Sequence, residues 1–133
     1  MSLQAFADLL NSIGPVAISR FGLTSHIGVQ VQPQGTLQLH EQHEQAGSIV
    51  GESTCEVELV NIQSVEFKEL TFEGFERPNP SQYMIYLYFN NKIISESRIP
   101  GKAIDKRLIT NTIINVPSRH QAEQIKAFIE EAI

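Results

Sequence analysis

The chain has no tryptophan, no long hydrophobic run and a single cysteine among its 133 residues. That cysteine, Cys55, cannot form an internal disulfide. Because Val57 and Leu59 share its predicted strand face, we interpret it as a small buried hydrophobic residue. No apolar segment approaches the roughly 20 residues that cross a bilayer, and no basic stretch followed by an apolar run opens the sequence. A chain of this length suits a single domain, residues 1–133, and we expect a cytoplasmic protein.

Basic residues are scarce in the first half of the sequence. Residues 1–67 contain one base, Arg20, against seven acidic residues, whereas residues 68–133 contain nine bases and eight acidic residues. A surface that follows a nucleic-acid backbone needs several bases on one face, and the acidic first half would repel a polyanion. We therefore expect no nucleic-acid partner.

One stretch of the second half is locally basic. It contains a Pro100-Gly101 turn that should project from the body of the fold, and Asp105 is the acidic residue that dilutes it. The bases of this stretch are the candidate contacts with a ligand or partner: Arg98, Lys102, Lys106 and Arg107. An ordinary solvated loop is the alternative interpretation.

The common catalytic, metal and nucleotide motifs are missing. The sequence has no Gly-x-Ser-x-Gly elbow and no glycine-rich phosphate loop. The run HEQHEQ at residues 40–45 is a weak metal motif, because a separation of three in a strand places His40 and His43 on opposite faces. His26 and His120 stand alone, and the acidic residues between 66 and 76 are interpreted as a solvated edge. We expect no catalytic residues, no bound metal and no cofactor.

The end of the sequence predicts a strand that runs directly into an amphipathic helix. Side chains alternate along one strand face up to Val116, and Pro117 ends the strand. Ser118 is placed as the N-cap of a helix over residues 118–132, with Gln121 completing a capping box. The helix has one apolar stripe, formed by Ala122, Ile125, Phe128, Ile129 and Ala132. We expect this helix to act as a lid on a sheet.

The beginning of the sequence predicts a second amphipathic helix, over residues 1–14. Ser2 can cap it, and Gly14-Pro15 ends it. Its apolar side consists of Leu3, Phe6, Leu9, Leu10 and Ile13. The spacing leaves open whether this side packs on its own domain or on another copy of the chain.

Residues 26–116, between the helices, have the alternation of antiparallel strands. The first two strands form a hairpin across Pro33-Gln34-Gly35, and Asn90-Asn91 predicts a second tight turn. Glycine and proline residues predict a loop over 74–82, after which Tyr83–Phe89 should lie centrally in the sheet. The seven predicted strands span residues 26–32, 36–40, 54–60, 64–72, 83–89, 92–98 and 108–116.

Two segments carry a resemblance to a known family. The final TIINVPSRHQAEQIKAFIEEAI resembles the last strand and helix of the bacterial pleckstrin-homology-like (PH-like) domains, and ELVNIQSVEF at residues 58–67 resembles their middle section. The resemblance implies a mainly β fold: a seven-stranded antiparallel barrel or sandwich capped by the C-terminal helix, here with an added N-terminal helix. Eukaryotic members typically carry a tryptophan in that helix, where Phe128 is the nearest aromatic residue. Their phosphoinositide site uses bases near the first hairpin, and residues 33–35 have none nearby, so lipid-headgroup binding is not implied.

The favoured functional hypothesis is a non-enzymatic binding or assembly module that acts through protein–protein contacts, self-association included. Five aromatic residues would then supply either exposed interface anchors or core: Phe72, Phe75, Tyr83, Tyr86 and Tyr88. The alternative is a small acidic dimeric chaperone of a bacterial secretion system, which binds an extended client segment. The chain is similar to such chaperones in size, pI and its first fifteen residues. They place a further helix in the middle, where residues 54–98 here have strand patterns.

Overall fold

A computed structural model describes residues 2–19, 21–70 and 82–133. Helix α1 spans Leu3–Asn11 and helix α2 spans Arg119–Ala132. The strands between them are β1 (Val16–Ala17), β2 (Thr24–Val31), β3 (Leu37–Gln45), β4 (Ser48–Val57), β5 (Ile62–Leu70), β6 (Gln82–Arg98) and β7 (Asp105–Val116). A 3-10 turn at Leu59–Asn61 joins β4 to β5.

The long strand β6 organises the sheet. Its first half pairs with β5 and its last residues pair with β4, while β7 runs along its other side. The strand order is β1-β2-β3-β4-β6-β5, with β7 beside β6, and every pairing is antiparallel. This connectivity joins two meanders, β2-β3-β4 and β5-β6-β7, into one curled half-barrel. The predicted fold class, seven antiparallel strands with a helix at each end, is confirmed.

The predicted turn at Asn90-Asn91 is wrong, because both residues lie inside β6. Neither has the positive φ that a tight two-residue turn requires. The pairing register with β7 shifts between Tyr88 and Ile93. At this irregularity the side chain of Asn61 forms hydrogen bonds with the strand backbone. Asn91 N–H donates to Asn61 Oδ1 at 2.9 Å, and Asn61 Nδ2 donates to the Asn91 carbonyl at 2.9 Å. Because this side chain satisfies the irregular backbone, the strand continues without reversing.

Other strand boundaries also differ from the prediction. β3 continues to Gln45 instead of ending at residue 40, and β4 begins at Ser48 instead of residue 54, so the two strands form a second hairpin. The short strand β1 was not predicted. The predicted end of the fourth strand at Phe72 lies outside the described residues, as do Phe75 and residues 74–81 of the predicted loop.

The core lies between the concave face of the sheet and the two helices. α1 packs on β2, and α2 packs on β5, β6 and β7. Side chains from most strands are buried there, including Ile27, Val29, Leu39, Val57, Ile85 and Ile114. The helices meet where the rings of Phe6 and Phe128 stack, with centroids 4.2 Å apart. The apolar side of α1 therefore packs on its own domain, and α2 covers the sheet as predicted.

Side-chain caps begin both helices at the predicted residues. The N–H of Ala5 donates to Ser2 Oγ at 3.1 Å, and the N–H of Gln121 donates to Ser118 Oγ at 3.2 Å. At its other end, α1 is fastened to the edge of β2. Val29 N–H donates to Asn11 Oδ1 at 2.7 Å, and Asn11 Nδ2 donates to the Val29 carbonyl at 2.8 Å. The Asn11 amide thus occupies part of an edge that β1 leaves unpaired.

We expect Ala46→Gly to stabilise the protein. Ala46 and Gly47 form the two-residue turn between β3 and β4, with φ of 52° and 80°. A left-handed conformation costs a residue with a Cβ roughly 1–2 kcal/mol, and glycine removes this cost. The greater conformational freedom of glycine in the unfolded chain offsets part of this gain in stability. The expected gain in the free energy of unfolding is about 0.5–1 kcal/mol.

Urea denaturation measures this gain. Ala127→Gly, on the exposed side of α2, is the matched control and should lower the free energy of unfolding by about 1 kcal/mol. An Ala46→Gly variant that is no more stable than the parent would contradict the strained turn.

Candidate functional site

The four predicted contact bases lie around the connection between β6 and β7. Arg98 is the last residue of β6, Lys102 lies in the loop, and Lys106 and Arg107 lie at the start of β7. The loop begins with a type II turn, in which the Lys102 N–H donates to the Ile99 carbonyl at 3.0 Å and Gly101 has φ of 80°. The predicted Pro100-Gly101 turn is confirmed.

Within the described residues, two of the four bases form ion pairs and two do not. Lys106 Nζ lies 3.5 Å from Glu96 Oε1, and Arg107 Nε lies 2.6 Å from Asp105 Oδ2. Arg98 lies opposite Glu52 in the β4–β6 register, but the Glu52 carboxylate contacts His40 Nε2 at 3.1 Å instead. Within the described residues, Arg98 and Lys102 form no ion pair. Of the four candidate bases, these two are therefore the ones without an acidic partner in the described part of the chain.

Exposed aliphatic side chains surround these two bases. Ile49 and Val50, at the start of β4, are 39% and 40% exposed, and Ile99 and Ile104, in the β6–β7 loop, are 50% and 48% exposed. A shallow cavity of about 300 Å³ is lined by Ile49, Ile99 and Ile104 together with Arg98 and Lys102. Glu52 also lines this cavity, and its carboxylate contacts His40. We call this surface the apolar–basic end: Ile49, Val50, Arg98, Ile99, Lys102 and Ile104.

Sequence reasoning found the bases of the apolar–basic end but missed its aliphatic residues. Ile49 and Ile99 come from segments that are distant in the sequence, and the pairing of Glu52 with Arg98 brings those segments together. These side chains are already about half-buried, so each one that a partner covers would contribute about 1 kcal/mol, roughly half the value for burying a fully exposed side chain. The combination of aliphatic surface and two free positive charges suits a ligand with both apolar and acidic groups.

The HEQHEQ run lies within β3, and the two histidines face opposite sides of the sheet, as their spacing predicted. His40 pairs with Glu52 on the solvent face, whereas His43 Nε2 lies 2.8 Å from Glu41 Oε1 on the core side. Ser25 Oγ donates to Glu41 Oε2 at 3.0 Å. The serine hydroxyl thus donates to the carboxylate and not to the imidazole, which differs from a nucleophile activated by histidine. In residues 2–19, 21–70 and 82–133, no cluster of three or more metal-ligating side chains occurs.

A groove of about 610 Å³ crosses the solvent face of β2, β3, β4 and β6. Its walls contain one base, Arg98, and two carboxylates, Glu52 and Glu96. The polar groups of the groove are largely engaged within the chain, since Asn11 bonds to Val29 and His40 to Glu52. None of the residues that line this groove is an exposed aliphatic residue, in contrast to the apolar–basic end.

The three described tyrosines divide between the two faces of the sheet. Tyr83 packs against Phe67 with ring centroids 6.1 Å apart, next to α2. Tyr86 and Tyr88 lie on the solvent face, half-buried and stacked at 6.2 Å, and Lys68 Nζ lies 5.3 Å from the Tyr86 ring. Phe72 and Phe75, the other predicted anchors, lie outside the described residues.

Cys55 is buried at the centre of the sheet, as predicted, between Leu39 on β3 and Ser95 on β6. Burial, with a smaller contribution from the nearby Glu41 carboxylate, raises the pKa of its thiol to about 11. The thiol is therefore protonated at neutral pH and unsuited to act as a nucleophile.

Comparison of the chain with protein-family models, curated proteins and solved structures finds no match. No helix in the described part of the chain is both long and apolar enough to span a membrane.

Proposed function

We propose that the protein is a non-enzymatic, cytoplasmic binding module of the PH-like type that binds an acidic segment of a protein partner at its apolar–basic end. The observation that carries this proposal is the placement of Arg98 and Lys102, free of ion pairs within the described residues, among four exposed aliphatic side chains. The aliphatic side chains supply the burial that stabilises a complex. The two bases select a partner with acidic residues.

Two features favour this module over a secretion chaperone. Among the described residues between Asn11 and Arg119, the only helical element is the 3-10 turn at Leu59–Asn61, whereas the chaperones have a further helix in the middle. The apolar side of α1 is covered by its own β2 and by Phe128. This helix face is therefore not available to form a dimer interface.

Panning against a library of short random peptides tests the proposal. We expect selected peptides to combine acidic with aliphatic or aromatic residues, and their binding to weaken as salt concentration rises. Replacing both bases, Arg98→Gln with Lys102→Gln, should weaken the binding of a selected peptide by about tenfold or more, as measured by fluorescence anisotropy.

The matched control replaces two other exposed bases, Lys68→Gln with Lys92→Gln. It changes the net charge equally, and six residues of extended strand place Lys92 about 20 Å from Arg98. The control should bind the selected peptide as the parent does. If peptides without acidic residues are selected, or both double variants bind alike, the apolar–basic end is not the binding site.

A further inference from the structure

The outer edge of β7 is accessible to another strand. β7 pairs with β6 and with no other strand among the described residues. Residues 105–108 and 110–111 are all exposed. The segment LITNTII at residues 108–114 contains no charge, proline or glycine and is rich in β-branched residues. Three charged residues, Asp105, Lys106 and Arg107, begin this edge, and the rest of it is uncharged. The uncharged part is a template for strand addition, because its outward backbone N–H and carbonyl groups have no strand partner among the described residues.

Two exposed aliphatic side chains lie beside this edge. Leu108 on β7 is directly opposite Ile94 on β6, and the two are 64% and 58% exposed. The neighbouring pair, Ile93 and Ile109, packs against the core, so Leu108 and Ile94 point away from it. A strand added to β7 would cover this apolar pair as well as the free backbone groups.

We propose that β7 pairs antiparallel with β7 of a second copy of this chain, about a two-fold axis at Leu108, so that one sheet continues through both protomers. Leu108 then lies opposite Leu108 of the second copy, and the two Ile94 side chains flank this pair. An aliphatic row across four strands results, and cross-strand aliphatic contacts of this kind stabilise a sheet.

The charges of β7 and the contact between the two Leu108 side chains together select this register. With the axis at Leu108, Arg107 lies opposite Ile109 of the second copy, and Lys106 lies opposite its Thr110. With the axis one residue earlier, Arg107 would lie opposite Arg107 of the second copy. Like charges directly opposite each other destabilise a pair of strands. With the axis later in β7, the two leucines separate. Both bases already have acidic partners within the chain, Glu96 and Asp105, which limits their repulsion of a second copy.

Disulfide crosslinking tests the register directly. In a Cys55→Ala background, Leu108→Cys places two thiols at facing positions, where Cβ atoms are about 4.5–5.5 Å apart and a disulfide forms with little adjustment. Thr110→Cys would leave the thiols four residues apart along the pair, about 13 Å. Under mild oxidation we expect Leu108→Cys to form a covalent dimer. Thr110→Cys and the exposed control Val60→Cys should give only the background of random collisions.

Sedimentation of the protein without introduced cysteines gives a second readout. The parent should have the mass of two chains, and Leu108→Lys should have the mass of one chain with an unchanged circular dichroism spectrum. Val60→Lys, which also replaces an exposed aliphatic residue with lysine, should remain dimeric. A parent that is monomeric at its highest soluble concentration overturns the inference, and so does crosslinking that is as fast at Thr110 or Val60 as at Leu108. Because β7 pairing uses other side chains than peptide binding, a monomer that still selects acidic peptides refutes only this inference.

Discussion

Replacing Phe128 with alanine is expected to lower the free energy of unfolding by about 3–5 kcal/mol, the range for removing a buried phenylalanine. The Phe128 ring is 9% exposed and stacks on Phe6 at a centroid distance of 4.2 Å with an interplanar angle of 16°. The ring contacts α1 directly, so its loss leaves a cavity and weakens the docking of both terminal helices. Since domains of this kind are stable by about 5–15 kcal/mol, this single change removes a large share of the total.

A double-mutant cycle separates the energy of the contact between the two rings from the energy of burying each ring. Urea denaturation of Phe6→Ala, Phe128→Ala and the double variant should give a coupling energy of about 0.5–1.5 kcal/mol for the ring pair, in addition to the cost of lost burial. Val60→Ala is the control, because Val60 is 80% exposed and its truncation should change stability by less than about 0.5 kcal/mol. A Phe128→Ala variant as stable as this control would show that α2 does not cover the core.

The parts of the fold that were predictable depend on local chemistry. Ser118, Pro117 and the spacing of Ile125, Phe128 and Ile129 define a helix start and an apolar stripe within one short segment. The Pro33-Gln34-Gly35 hairpin follows in the same way from residues whose backbone preferences are strong. In each case the sequence signal and the structure it specifies lie within a few residues of each other.

The error at Asn90-Asn91 has a long-range cause. An asparagine pair tolerates the positive φ of a tight turn, but the Asn61 side chain, 30 residues away, satisfies the Asn91 backbone within a continuing strand. The turn at Ala46-Gly47 was missed for the opposite reason, since alanine is an unfavourable residue at positive φ. Tertiary contacts override local preference at both positions, and a single sequence contains no signal for such contacts.

The same distinction applies to the candidate site. The four bases could be found from sequence because they cluster between residues 98 and 107, but their separation into free and paired groups could not. Glu96 lies opposite Lys106 only because β6 and β7 pair in that register, and Glu52 is drawn to His40 although Arg98 faces it. Ile49 joins the apolar–basic end through the β4–β6 pairing. The charged and apolar residues can be recognised as one site only when the strand register that brings them together is known.

We expect Cys55 to be alkylated far more slowly in the folded protein than in the unfolded chain. Its pKa is raised from 9.0 to about 11, mainly because burial disfavours the thiolate. Only the thiolate is alkylated, so at pH 8 the folded protein should react with iodoacetamide about 100-fold more slowly than the protein unfolded in urea. The logarithm of the folded-state rate should rise with pH up to about 10 without levelling, because the thiol remains largely protonated throughout that range.

The raised pKa also makes stability depend on pH in a defined window. Because the folded-state pKa lies above the unfolded value, the contribution of Cys55 to stability is fully present below pH 9.0 and is lost as pH rises toward about 11. At about 1.4 kcal/mol for each unit of pKa difference, the loss reaches about 2 kcal/mol at pH 11. Tyrosine and lysine residues titrate in the same range, so the measurement is the difference between the parent and Cys55→Ala, compared by urea denaturation at each pH. The parent should lose more stability than the variant between pH 9 and 11, and parallel losses would mean that the thiol is not buried in the folded sheet.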